Sequence, residues 1–177
     1  FRNEADGLVT LTDVQLTNNT LGTDTAGNIR GVGGGFYNNG GYVTLNGDSK
    51  ITGNYAEDGG GFYSDTGGSL VTITGTAGNP IELNDNKARV RGGAFRTTSS
   101  TVVNLLYVDV NSNEAEIQRG GGFYNDGGQV LGEQVRINDN VTGTAGRNGD
   151  EQGGGFWVDG SGTVSLKQSE ISSNFAY

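Results

Sequence analysis

Cysteine, histidine and methionine are all missing from the 177 residues of this chain. Without cysteine or histidine there are no disulfides, no Cys/His zinc sites, no thiol nucleophile and no imidazole acid–base catalyst. The metal chemistry that remains is that of oxygen ligands, calcium or magnesium. One proline excludes a collagen or polyproline composition. No apolar run approaches the roughly 18 residues of a membrane span. Charged residues are sparse at 18%, and 11 basic against 20 acidic side chains leave a net charge of −9. Such a chain repels phosphate backbones and anionic membrane surfaces, so neither nucleic acid nor direct membrane insertion is expected.

What the chain has in quantity is glycine, 34 residues of it, set in a recurring pattern. "GGGFYNNGG" (33–41) returns as "GGGFYSDTGG" (59–68), "GGAFRTTSS" (92–100), "GGGFYNDGG" (120–128) and "GGGFWVDGSG" (153–162). Between these stands a second element, aliphatic-x-x-Asn. Its aliphatics are Leu16, Ile51, Leu83, Val110, Ile137 and Ile171, and its asparagines are Asn19, Asn54, Asn86, Asn113, Asn140 and Asn174. An alanine often follows two residues later, as at Ala56, Ala88, Ala115 and Ala176. Repeats of this length decide the architecture before any local reading.

The spacing is regular on one side only. From Phe36 to Asn54, Phe95 to Asn113 and Phe156 to Asn174 the step is 18 residues, and from Phe123 to Asn140 it is 17. Phe1 to Asn19 is again 18, which makes Phe1 the motif phenylalanine of a sixth repeat. Phe62 to Asn86 takes 24, with "TGTAGNP" reading as an insertion. The return from Asn to the next Phe varies between 8 and 17 residues. A wall of fixed length alternating with an elastic corner is the signature of a solenoid coil. Wall segments such as "LVTLTDVQLT" and "TVVNLLYVDV" are rich in β-branched residues with partial period-two alternation.

The expected fold is therefore all-β: a right-handed parallel β-helix of about six coils, with three short strands per coil. The strands are expected near the motif Phe, near the following Val/Leu pair, and ending at the Asn. At about 4.8 Å per coil the rod is roughly 25–30 Å long. Phe36, Phe62, Phe95, Phe123 and Phe156 are expected to stack inside, the glycines to allow positive φ at the corner, and the asparagines to tolerate the left-handed region while bonding to copies above and below. Two glycosylation sequons occur, at Asn18 and Asn140. As a ladder position Asn140 is expected to be buried and unmodified, with Asn18 accessible.

The combination Gly-Gly-[Gly/Ala]-Phe with aliphatic-x-x-Asn-x-Ala resembles the repeats of chlamydial polymorphic outer membrane proteins, and is similar to the repeats of large secreted β-helix adhesins. The resemblance covers nearly the whole chain. It implies a surface-exposed passenger, adhesin or filament component. The same fold also hosts polysaccharide lyases, polysaccharide hydrolases and phage tailspikes, so the fold alone does not choose.

Three features are candidate sites. The residues after the motif Phe, Arg2, Tyr37, Tyr63, Arg96, Tyr124 and Trp157, form a row expected to face outward. It reads as a contact stripe for a carbohydrate or a surface protein, or as a ladder with Arg96 in a cation–π stack between Tyr63 and Tyr124. Alternating charges at Glu57, Arg89 and Glu116, and at Lys87 and Glu114, read as cross-coil ion pairs. The loop "INDNVTGTAGRNGDEQGG" (137–154) offers Asp139, Asp150 and Glu151 as calcium ligands, although its spacing matches no EF-hand loop. For glycoside hydrolysis two carboxylates at about 5–9.5 Å are needed, and no residues are assigned to catalysis.

Residues 1–177 thus read as one β-helix segment, either part of a longer β-helix or a subunit that stacks on its neighbours. The expected role is non-enzymatic: an extracellular, cell-surface structural or adhesive rod whose partners are neighbouring β-helix coils of the same or another chain. The alternatives are a β-helix polysaccharide lyase, hydrolase or tailspike, and a scaffold subunit of a large assembly.

Overall fold

The computed structural model describes residues 1–143 and 151–177. Every pair of strands in its three sheets is parallel, and each sheet is built of equivalent segments from successive coils. The first sheet has six strands in chain order, Arg2–Asn3, Phe36–Asn39, Phe62–Asp65, Phe95–Thr98, Phe123–Asp126 and Phe156–Asp159. Its register aligns the motif phenylalanines from Phe36 to Phe156 without a slip. The protein is a parallel β-helix whose six Phe rungs enclose about five full turns.

The other two sheets divide the coil differently from the sequence expectation. The strands near the Val/Leu pair and those leading to the Asn belong to one ten-stranded sheet. In the fourth and fifth coils they are single strands, Val102–Asn111 and Gln129–Asn138, bent where Tyr107 and Gln134 take φ of 51° and 57°. The third sheet comes from the segment after each Asn, which the sequence marks only as elastic: Tyr55–Asp58, Lys87–Arg91, Glu114–Ala115, Val141–Thr142 and Phe175–Ala176. These strands are short and carry no apolar alternation, because their inner row is Ala56, Ala88, Ala115 and Thr142. The backbone of this segment packs directly on the glycine motif: a Cβ on Gly60 would stand 2.3 Å from the Lys87 carbonyl.

The three motif glycines have separate reasons. The first turns the corner at positive φ, 68° at Gly33, Gly92, Gly120 and Gly153, a region open to glycine at little cost. The second has no room for a side chain: at Gly93 a Cβ would meet backbone atoms of Gly121 and Glu114 at 2.1–2.7 Å. The third tolerates one methyl, as Ala94 demonstrates by occupying that place, fully buried.

The interior is a set of like-on-like rows. Adjacent motif rings from Phe36 to Phe156 lie 4.7–4.8 Å apart and within 3–6° of parallel, and Phe1 continues the stack at 5.3 Å. Behind them Val43, Val71, Val103 and Val130 form one row, and Ile51, Leu83, Val110 and Ile137 another. Full burial of such side chains contributes on the order of 1.5–3 kcal/mol each. One position breaks the next row, Leu45, Ile73, Leu105, Gly132, Leu166: Gly132 lacks a side chain because those of Leu166 and Val135 already fill the space.

The asparagine ladder holds the corner between the second and third sheets. Each side-chain Nδ2 donates to Oδ1 of the next asparagine, at 2.8, 2.9, 3.2, 2.9 and 2.9 Å from Asn19 through to Asn174. Each of those Oδ1 atoms also accepts the backbone N–H of the preceding asparagine, at 2.9–3.1 Å. The second hydrogen on Nδ2 goes to the carbonyl of the aliphatic residue one coil back: Leu16, Ile51, Leu83, Val110 and Ile137. Aliphatic-x-x-Asn is therefore one hydrogen-bonding unit. The asparagines are not the left-handed residues. The residue before each one is: Asn18, Gly53, Asp85, Ser112, Asp139 and Ser173, at φ 53–68°. That placement frees the ladder side chain to point inward. Asn140 is fully buried and Asn18 is exposed.

Candidate functional site

The residue after each motif Phe lies on the opposite face of the first sheet, in one register: Arg2, Tyr37, Tyr63, Arg96, Tyr124, Trp157. The row does not form a free aromatic stripe. Tyr63 is only 8% exposed and Tyr124 only 3%. The cover comes from the residues that precede the glycines. Arg91 lies 5.6 Å from the Tyr124 ring centre and Arg119 lies 5.1 Å from that of Trp157. Arg96 sits 5.3 Å from both the Tyr63 and the Tyr124 rings. Its Nη1 reaches Asp58 at 2.7 Å and its Nη2 reaches Asp126 at 2.8 Å. At the first coil Arg2 covers Tyr37 at 5.0 Å.

Electrostatics follow from this packing. Burial pushes the Asp58 carboxyl up, against the pull of Arg96 and Arg91, and pushes the Tyr63 phenol up to about 12. The Tyr124 hydroxyl donates to Asp159 at 3.2 Å. The edge is a cross-coil network of stacked rings and ion pairs; its central guanidinium is held through Nη1 and Nη2, while its buried Nε has no hydrogen-bond partner among the described residues.

On the third sheet Lys87 pairs with Glu114 at 3.1 Å and with Glu116 at 2.8 Å. Arg89 meets Glu57 only at 4.0 Å and instead donates to Asn28 at 3.0 Å. The reason is local: the segment at 20–32 folds back so that Arg30 takes Glu57 at 2.9 Å, while Tyr55 and Lys87 occupy Glu116. Asp139 is exposed at a corner and Glu151 is half-buried. Asp150 lies outside the described residues. Among those residues no group of three or more acidic side chains forms that could hold a metal ion.

Two sets of residues were not singled out from the sequence. The position two after each motif Phe from Phe1 to Phe123 is a buried polar row, Asn3, Asn38, Ser64, Thr97 and Asn125, which secures the next corner; after Phe156 it is Val158. Asn38 donates to the Gly41 carbonyl at 2.8 Å and Asn125 to that of Gly128 at 3.0 Å. Its signal was Asn-x-Gly-Gly, present in the first and fourth glycine motifs. The other set lies on the outer face of the ten-stranded sheet, whose two halves carry different chemistry. The half leading to the ladder is charged. There Asp109 accepts Arg136 Nε and Nη2, both at 2.6 Å, and Lys50 pairs with Glu82 at 2.9 Å. Tyr107, Asp109, Arg136 and Glu170 line a groove of about 330 Å³ rimmed by Thr76 and Pro80 of the insertion. The other half carries charge at Glu133 and Lys167, which help to line a depression of about 340 Å³.

The fold and its rows define the class: a parallel β-helix repeat protein. No family model, curated protein or solved structure matches the chain, so the likeness to chlamydial surface repeats rests on the motif residues alone.

Proposed function

We propose that the chain is a section of a non-enzymatic, extracellular β-helix rod with a structural or adhesive role, which presents its lateral surface to a partner. The observation that carries this reading is the continuity of the ladders. The Phe stack from Phe1 to Phe156 and the Asn ladder from Asn19 to Asn174 pass through every coil without interruption. Polar and charged side chains at the corners are engaged in joining coil to coil, whereas active sites are places where local rules are broken. A stack of this kind gives a stiff body with few openings for a protease.

The test is twofold. The purified chain should resist trypsin and chymotrypsin at its ladder corners under native conditions, and it should release no reducing or unsaturated ends from neutral or acidic polysaccharides. Rapid cleavage within the coils contradicts the rod, and sugar release contradicts the non-enzymatic reading. One observation favours a polysaccharide-processing alternative: Asp109 and Glu170 line the same groove. Against it, Asp109 is clamped by Arg136 through two hydrogen bonds, and the release assay decides.

A further inference from the structure

We infer that the outer face of the ten-stranded sheet, over its Leu8–Thr12, Tyr42–Asn46 and Leu70–Thr74 strands and the start of Val102–Asn111, is a binding site for a neutral polysaccharide. The inference rests on the reading of the chain as a rod that presents a lateral surface, and it names the partner class and the place.

Three rows cross this face in register. The first is apolar, Leu8, Tyr42, Leu70 and Val102, with Leu8 76% and Tyr42 44% exposed. The second is Thr10, Thr44, Thr72 and Asn104, and the third is Thr12, Asn46, Thr74 and Leu106. These twelve positions, three rows of four, include no charged residue, although the chain has 11 basic and 20 acidic side chains. The adjoining half of the same sheet differs, with Lys50, Glu82, Asp109, Arg136 and Glu170 facing outward.

Three observations choose the occupant. First, the hydroxyls of Thr10, Thr44 and Thr72 have no hydrogen-bond partner among the described residues, in contrast to the buried Thr97 and Thr142. A row of unengaged donor–acceptors, repeated at the 4.7–4.8 Å coil spacing, suits a ligand that offers hydroxyls in series. Second, the parallel apolar row with Tyr42 at its centre suits the flat, apolar faces of sugar rings. Third, exposed Asp6, Asp13 and Asp48 stand at the margins and repel polyanions, so the glycan is uncharged. Farther along the same face the depression of about 340 Å³, lined by Thr74, Asn104, Leu106, Leu131 and Ser165 together with the oppositely charged, register-paired Glu133 and Lys167, holds about one or two sugar rings.

The probe is a soluble neutral β-glucan, with its carboxymethylated form as the anionic counterpart, titrated against the whole chain by calorimetry and by retardation in affinity gels. The neutral glycan should bind, with little dependence on salt, and the carboxymethylated form should bind about tenfold more weakly or not at all. Tyr42→Ser and Thr72→Lys should each weaken binding by about tenfold or more while leaving the melting temperature and circular dichroism near those of the parent. Thr10→Lys, at an exposed edge position, replaces Thr72→Lys if that variant fails to fold. No binding, binding unchanged in these variants, or equal binding of the anionic form overturns the site. So does a concentration-dependent dimer that Thr72→Lys dissolves without any glycan binding, because the face then belongs to a second copy. Binding with release of sugar ends leaves the site standing and refutes the non-enzymatic reading. Protease resistance without binding refutes the site alone.

Discussion

Replacing Asn113 by alanine isolates the contribution of one ladder position. The residue is fully buried in the middle of the stack. Its Nδ2 donates to the Leu83 carbonyl at 2.8 Å and to Asn140 Oδ1 at 2.9 Å. Its Oδ1 accepts the Asn86 backbone N–H at 2.9 Å and the Asn86 amide at 3.2 Å. Truncation leaves two donors on Asn86 and one carbonyl on Leu83 without these partners. Asn140 Oδ1 keeps the backbone N–H of residue 113, a bond of 2.9 Å in the parent chain. Each buried group left unsatisfied costs about 1–3 kcal/mol. With a water entering the vacated space, the expected total is about 3–5 kcal/mol. Asn19→Ala is the internal control. Asn19 is exposed and its two bonds to Asn54 are donated from the outermost coil, so the expected cost is about 1 kcal/mol or less. Urea unfolding followed by circular dichroism and by Tyr/Trp fluorescence measures both. If Asn113→Ala costs no more than Asn19→Ala, the ladder is not what joins the coils.

Further outcomes are expected. Phe95→Ala, which opens the centre of the ring stack, should lower stability by about 3–5 kcal/mol in the same unfolding assay. Gly93→Ala sets a methyl against the backbone of two neighbouring segments and should prevent soluble folding. Gly122→Ala, at the place that Ala94 fills in another coil, has one backbone atom closer than 3.0 Å and should fold with a reduced melting temperature. Arg96→Ala leaves Asp58 buried with only Arg91 near, at 3.6 Å, and should cost about 3 kcal/mol, more than Arg30→Ala at the exposed pair. The last concerns alkali. Burial holds the Tyr63 and Tyr55 phenols up to about 12, aided at Tyr55 by the bond to Glu116, whereas an unfolded tyrosine releases its proton near 10. The folded chain keeps these protons longer, so their contribution is full below about pH 10 and is lost as pH rises towards 12. Absorbance at the phenolate band should show a late tyrosine class that Tyr63→Phe reduces.

Much of this architecture was legible because a solenoid repeats its instructions. The fixed step from motif Phe to ladder Asn located the wall, and the six aliphatic-x-x-Asn units located a corner. The third sheet was hidden because its inner row is alanine and threonine, which carry little hydrophobic contrast, and because the signal for its strands is steric. The glycine backbone of the motif lies directly against the Lys87 backbone, a contact that no residue pattern announces. The left-handed residue was displaced by one position for a related reason. Asparagine tolerates positive φ, but the ladder needs its side chain inside, and Gly53, Asp85 or Ser112 takes the turn instead. The cover over the row after the motif Phe was not legible, since nothing in the spacing tells that Arg91 and Arg119 fold over Tyr124 and Trp157. The uncharged Thr face was present in the alternation of "LVTLT", "YVTLN" and "LVTIT". It became visible only once register placed the three strands side by side.

Native-state hydrogen exchange resolved by residue tests the central claim, that like-on-like ladders hold each coil to the next. The backbone amides of Asn86 and Asn113, each bonded to the side chain of the following ladder asparagine, should be among the slowest to exchange. Protection should fall towards Asn19 and should be lowest in the segment at 20–32. Fast exchange at Asn86 and Asn113, with protection concentrated elsewhere, would contradict the ladder account.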